Sequence, residues 1–202
     1  DPFILERSEA YIGVLIDDLI NKGTQEPYRM FTSRAEYRTL LRQDNADLRL
    51  TERSYRIGLA KGERMEKVSR KKEEIDDIKL IINTLSIEPG EISNFLSRKN
   101  SAPLPQKQKL SQLLLRPGIE LEELSAELPQ LKEALSPYSI PAIEQSAIQV
   151  KYQAYIDKEK ELVERMNQLE NLLIPENFDF AKIPALSAEA SQKFQKIRPR
   201  TL

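Results

Sequence analysis

The chain has 202 residues with 31 Lys and Arg against 32 Asp and Glu, so whole-chain attraction to a polyanion is negligible and electrostatic binding must come from local segregation of charge. It has no cysteine and no histidine, which excludes disulfides, thiolate nucleophiles, a Ser-His-Asp triad and zinc sites of the usual kind. A hydrophobic content of 40% suffices for a core, no apolar run approaches the ~20 residues of a spanning helix, and six glycines among abundant Leu, Ile, Glu, Lys, Gln and Ala indicate an all-α fold in a soluble protein, while the lack of cysteine agrees with a reducing compartment and the expected location is cytoplasmic.

The chain opens on DPFIL without a methionine, ends on RPRTL, and reads as part of something longer. Ala10, Val14, Leu15 and Leu19 recur at helical spacing, so a first helix is expected from Leu5 to Asn21, stopping at Gly23. SRAE at 33–36 has the Ser-x-x-Glu form of a capping box and should start a second helix. That helix would carry Tyr37, Leu40 and Leu41 on one stripe and Arg34, Arg38 and Arg42 on the next, with QDN ending it. A short helix from Thr51 to about Leu59 would bring Arg53 and Arg56 together beside Tyr55.

From Glu63 to Leu85 the residues Val68, Ile75, Ile78, Ile82 and Leu85 mark a long amphipathic helix. A Pro-rich middle at 88–139 separates the short helical pieces EISNFLSR, KQKLSQLLL, ELEELSAE and LPQLKEAL. One helix should then run from Pro141 to Leu173, with Ile148, Tyr152, Tyr155, Glu159, Leu162, Met166, Leu169 and Leu173 forming a heptad seam. At 1.5 Å per residue such a helix is ~50 Å long, and it is expected to pair with the 63–85 helix. A last helix begins at Ser187 as N-cap and should bury Phe194 and Ile197, leaving RPRTL as a loop. The expected organisation is an Arg-rich part, 1–62, followed by a helical part, 63–202.

The chemistry concentrates between Arg29 and Arg56, where seven arginines and no lysine face four acids, Glu36, Asp44, Asp47 and Glu52. A guanidinium can give two parallel hydrogen bonds to a phosphate and stack on bases, so RNA contact is one reading. Pairing of these arginines with the four interleaved acids, simply to hold the fold, is the other. Tyr28, Tyr37 and Tyr55 lie among the arginines and could stack on bases, although Tyr37 and Tyr55 fall on apolar stripes. Asp17 and Asp18 close the first helix, where carboxylates are electrostatically unfavourable, so a specific partner is expected there. Together with Asp44 and Asp47 they are the residues a metal or acid–base role would need. No GxGxxG or GxxxxGK[ST] occurs, so a cofactor site within this chain is not expected.

The stretches PFILERSEAYIGVLIDDL and EPYRMFTSRAEYRTLLRQDNADLRLT resemble the signature region of the GidA (MnmG) family, glucose-inhibited division protein A. The resemblance resumes from IQVKYQAY through the IP break and the Leu-Ser-x-Glu helix to RPRTL, while 63–140 adds little. It implies the C-terminal helical domain of a flavoprotein. In that family the intact protein, a homodimer, binds FAD through an N-terminal Rossmann-like domain, uses NADH, and works with a GTPase subunit. Together they install a carboxymethylaminomethyl-type group on C5 of the wobble uridine of tRNA. The resemblance implies that the FAD domain is missing here, that further helices follow RPRTL in the family, and that this chain alone is non-catalytic, without cofactor or metal. It assigns Arg29, Arg34, Arg38, Arg42, Arg49, Arg53 and Arg56 to tRNA phosphates or to anchoring on the FAD domain. It assigns Tyr152, Tyr155 and Phe194 to the GTPase partner. The alternative is a docking scaffold that touches protein only.

Overall fold

The computed structural model describes residues 3–23, 26–170 and 172–201. The expected all-α class is what the chain adopts, the one regular strand pairing among the described residues being a two-residue antiparallel ladder, β1 (Ser86–Ile87) with β2 (Gln108–Lys109). Two compact units divide the chain, Asp1–Ile156 and Asp157–Leu202.

The core of the first unit is built around α3 (Gly62–Thr84), whose Ile75, Ile78 and Ile82 are buried on one stripe as the spacing requires. Against it pack α4 (Pro89–Arg98), α5 (Leu110–Leu114), α6 (Leu121–Glu127) and α7 (Pro129–Leu135). Helix α4 ends before the left-handed Asn100, α5 and α7 end within three residues of Pro117 and Pro137, and α6 ends on the extended Leu128 before Pro129. Leu110, Leu113, Leu124 and Leu131 are wholly enclosed. Every such side chain contributes ~1.5–3 kcal/mol, so several short helices suffice for a core. Pro89 opens α4 at its first turn, and Glu91 reaches back 2.6 Å to the Glu88 amide, satisfying a donor the helix leaves free.

The long helix α8 runs from Ile140 to Glu170. Its first turns complete the core: Ala142 is buried, Ile143, Ala147 and Val150 pack against the cluster, and the Ser146 hydroxyl lies 3.4 Å from the Ile75 carbonyl. The expectation that α3 would cover the whole seam is corrected here. Tyr152, Tyr155, Leu162, Met166 and Leu169 are all exposed, and the α8 residues that pack into the cluster around α3 are Ala142, Ile143, Ala147 and Val150.

In the second unit, α9 (Ala188–Ile197) starts as expected, with the Ser187 hydroxyl accepting from the Ala190 amide at 3.2 Å. It ends on Arg198 in a left-handed conformation. Phe194 stacks on the buried Phe180 at 5.4 Å but stays 38% exposed, and Ile197 is 71% exposed, so neither is the core residue the sequence suggested. Nor is RPRTL a free loop: the Ile174 amide bonds the Arg200 carbonyl at 2.9 Å and Leu173 bridges Thr201. Leu173, expected as the last seam residue, therefore lies beyond the helix.

The Arg-rich part departs most. The first helix, α1, spans Tyr11–Asn21 rather than starting at Leu5. Residues 5–10 fold back over its first turn so closely that a Cβ at Gly13 would overlap the Leu5 and Glu6 carbonyl oxygens. The helix expected from Ser33 is replaced by a 3-10 turn at Thr32–Arg34 and a turn around Tyr37–Leu41. The capping box fails because the Glu36 carboxylate is taken by Arg7, at 2.7 and 2.9 Å. The next helix, α2, occupies Ala46–Arg56, starting five residues before Thr51. Tyr55, expected in a core, is exposed on it.

Candidate nucleic-acid interface

Because 33–42 is not a helix, Arg34, Arg38 and Arg42 do not form one stripe, and the seven arginines separate into two groups. The inward group holds the Arg-rich part together. Arg42 sets Nε 3.1 Å from Asp44, Nη1 2.6 Å from the Thr39 carbonyl and Nη2 3.3 Å from Gln145 of α8. Gln145, 2% exposed, also donates to Asp44, so one buried amide ties α8 to this loop. Burial raises the Asp44 carboxyl, but Gln145 and Arg42 outweigh that and hold it below its ordinary value. Arg49, half-buried on α2, donates to Asn45 at 2.8 Å and to the carbonyls of Glu9 and Arg42, and burial pulls its pKa down. Arg53 pairs with Glu9 and lies 5.9 Å over the Phe3 ring. Arg56, by contrast, is exposed and tied only to its own helix, pairing with Glu52 one turn back at 2.5 Å.

The outward group is smaller. Arg29 and Arg38 are exposed and make no ion pair or hydrogen bond among the described residues. Arg29 lies 5.9 Å over the ring of Phe31, itself 52% exposed, and Arg34 lies over the same ring at 5.9 Å and over Tyr28 at 5.7 Å. Arg34 keeps a longer contact, 3.7 Å, to Asp18. Arg29, Phe31 and Arg34 thus form a partly exposed cation–aromatic cluster, a surface on which a phosphate and a base face could both find partners.

What fixes this loop was missed from sequence: Arg7. Its guanidinium reaches Asp17 at 2.7 Å, Asp18 at 2.8 Å, Glu36 at 2.7 Å and the Arg34 carbonyl at 3.0 Å, clasping α1 to the turn that carries Arg34. Asp18 is fully buried and also accepts from Tyr28 at 2.8 Å and Lys22 at 3.1 Å. Burial alone would raise its pKa, yet the bonds from Arg7, Tyr28 and Lys22 prevail and keep it far below the usual carboxylate range. Burial and the bond to Asp18 push the Tyr28 hydroxyl up. The unfavourable carboxylate at the end of α1 was the signal, and the partner proved to be this clasp. Asp17, Asp18, Asp44 and Asp47 are all engaged as acceptors, Asp47 with Lys71 at 2.8 Å, and no cluster of three or more potential metal ligands occurs among the described residues.

Two other surfaces stand out. One face of α1 exposes Ile12, Ile16, Leu19 and Ile20, and Phe3 and Ile4 ahead of the helix are exposed too. On α8, Tyr152 and Tyr155 are 46% and 66% exposed with ring centroids 6.3 Å apart, and Phe194 is the exposed aromatic of α9. No helix among the described residues is long and apolar enough to cross a membrane.

Short Leu-rich segments packed around α3, with cationic and apolar residues exposed on the surrounding helices, define an all-helical domain. Residues 62–160 match the model for the C-terminal helical domain of the tRNA modifying enzyme MnmG/GidA, and 162–202 match that for its C-terminal helical bundle. The chain belongs to the MnmG/GidA family, as its C-terminal helical region. It is 50% identical over its whole length to the tRNA uridine 5-carboxymethylaminomethyl modification enzyme MnmG of Christiangramia forsetii, covering 33% of that protein. It is 48% identical, over 98% of the chain, to the enzyme of the same name from Caldicellulosiruptor saccharolyticus. GidA of Aquifex aeolicus superposes over the full chain with TM-scores of 0.70 and 0.67 in two crystal forms, at 33% and 34% identity, with 30% of that protein covered. The chain therefore spans about a third of the length of the relatives it matches.

Proposed function

We propose that this chain is the tRNA-holding and docking end of an FAD- and NADH-dependent enzyme of the cytoplasm. With a GTPase subunit, that enzyme would add a carboxymethylaminomethyl group to C5 of the wobble uridine. Catalysis belongs to the FAD domain, which residues 1–62 adjoin. The helical region contributes grip: Arg29, Arg34 and Arg38 meet tRNA phosphates, Phe31 offers a ring to an unpaired base, and Tyr152, Tyr155 and Phe194 face the GTPase. The observation that carries this reading is the division of the arginines. Arg42, Arg49 and Arg53 are taken up by contacts within the fold, whereas Arg29 and Arg38 are solvent-exposed cations without an ion pair or hydrogen bond among the described residues, and Arg29 lies over the exposed Phe31 ring. Filter binding of tRNA across a salt series tests it. Arg29→Gln and Arg38→Gln should each flatten the slope of log affinity against log salt by about one unit.

The exposed apolar face of α1 favours a second reading, in which this region docks protein only. Unchanged tRNA affinity in both Arg variants, with loss of GTPase capture on Tyr152→Ala and Tyr155→Ala, would select it.

A further inference from the structure

A groove of about 840 Å3 lies between α2 and the first turns of α3. Lys61, Arg64 and Lys67 line it from the α3 side, successive ones ~4.5 Å apart along the axis, and Thr51 and Ser54 line it from α2. All three cations are exposed, and none makes an ion pair among the described residues. Of the two acids in the lining, Asp47 is paired with Lys71 at 2.8 Å and Glu63 remains exposed, so the groove carries a net positive charge. The N-terminus of α3 is open: Lys61 makes no side-chain cap, and the amides of Gly62 and Glu63 have no acceptor among the described residues. Such an end favours an anion.

The α2 side of the groove adds a neutral donor, Thr51. It is 3% exposed, lines the groove, and its hydroxyl makes no hydrogen bond among the described residues. The hydroxyl is not among the sealed polar atoms that lack a partner, so it stays open to a group entering the groove. Leu50, Leu59 and Val68 add apolar surface, with Leu59 76% exposed at the rim.

We propose that this groove is a phosphate-binding site for a nucleotide, separate from the Arg29–Phe31–Arg34 cluster. Lys61, Arg64 and Lys67 supply the counter-charge, Thr51 a neutral donor, and Leu59 a surface for the sugar or base. The nucleotide belongs to an RNA strand or is a free mononucleotide, and the phosphate chemistry is the same.

The test is an amide-resolved NMR titration of the chain with inorganic phosphate, uridine 5′-monophosphate and a short oligouridylate. Saturable shifts at Gly62, Glu63 and Thr51 are expected, and Arg64→Gln with Lys67→Gln should weaken binding about tenfold or more. Both residues are exposed, so unchanged helical circular dichroism will show that this variant folds. An oligonucleotide that binds more tightly than the mononucleotide, with a salt slope that falls in the variant, assigns the site to a strand; equal affinities assign it to free nucleotide. Absence of shifts at those three residues with every probe, or affinity unaffected by the double substitution, overturns the proposal. Oligonucleotide binding lost in Arg29→Gln/Arg38→Gln but kept in Arg64→Gln/Lys67→Gln would overturn the groove while leaving the tRNA reading intact. The reverse pattern would do the opposite.

Discussion

Replacing Arg7 by Gln should destabilise the first unit by about 3 kcal/mol, because it removes the one guanidinium that Asp17, Asp18 and Glu36 share. The largest part comes from Asp18, which is wholly buried: breaking such a pair costs on the order of 3 kcal/mol, reduced because Tyr28 and Lys22 still donate to it. The pairs with Asp17 and Glu36 are 38% and 46% exposed on the acid side and add at most about 1 kcal/mol together. Chemical denaturation followed at residues of α1 reads the loss, and its pH dependence identifies the cause. The Asp18 pKa is depressed in the fold, so its stabilisation is complete above the unfolded value of ~3.9 and is lost as pH falls through the folded value. Arg7 supplies the first of the bonds that depress it, so the gap between wild type and variant should be widest above about pH 5 and narrow steadily below about pH 4. A gap under about 1 kcal/mol at pH 7, or one that stays constant down to pH 3, would refute the clasp.

Gly13→Ala should cost about 1–3 kcal/mol, since the new Cβ meets backbone oxygens of residues 5 and 6 and not flexible side chains; a neutral result in thermal melts would mean the 5–10 segment does not lie there. Gln145→Ala should cost about 1–2 kcal/mol and loosen the Arg42–Asp44 loop, seen as faster amide exchange at Leu40 to Ala46. Ser187→Ala should remove about 1 kcal/mol from α9 alone, raising exchange at Ala188 to Ser191 while amides of α3 keep their protection.

Where structure follows from neighbours in sequence, it was legible. The stripe Ile75, Ile78 and Ile82, the Ser187 cap and most of the short helices of 88–139 depend on residues within about one turn of one another and follow the sequence, whereas the start of KQKLSQLLL pairs as strand β2 with a segment more than twenty residues away. The capping box at Ser33 failed because its glutamate was drawn to Arg7, 29 residues away, and no local pattern records that competition. Asp18 announced an unmet need at the end of α1, but the residue meeting it lies outside the helix. The seam of α8 illustrates another limit, for periodicity marks which side chains share a face and does not say what covers them. Counting arginines likewise located the cationic region without showing that Arg42 and Arg49 face inward while Arg29 and Arg38 face out.

That division of labour is the central claim, and one paired comparison tests it most directly: tRNA affinity and denaturation measured side by side on Arg29→Gln/Arg38→Gln and Arg42→Gln/Arg49→Gln. The first variant should keep wild-type stability and lose about two units of salt slope, while the second should lose about 2–4 kcal/mol of stability and, where folded, keep the slope. A first variant that binds tRNA with undiminished slope, or a second that loses slope without losing stability, would contradict it.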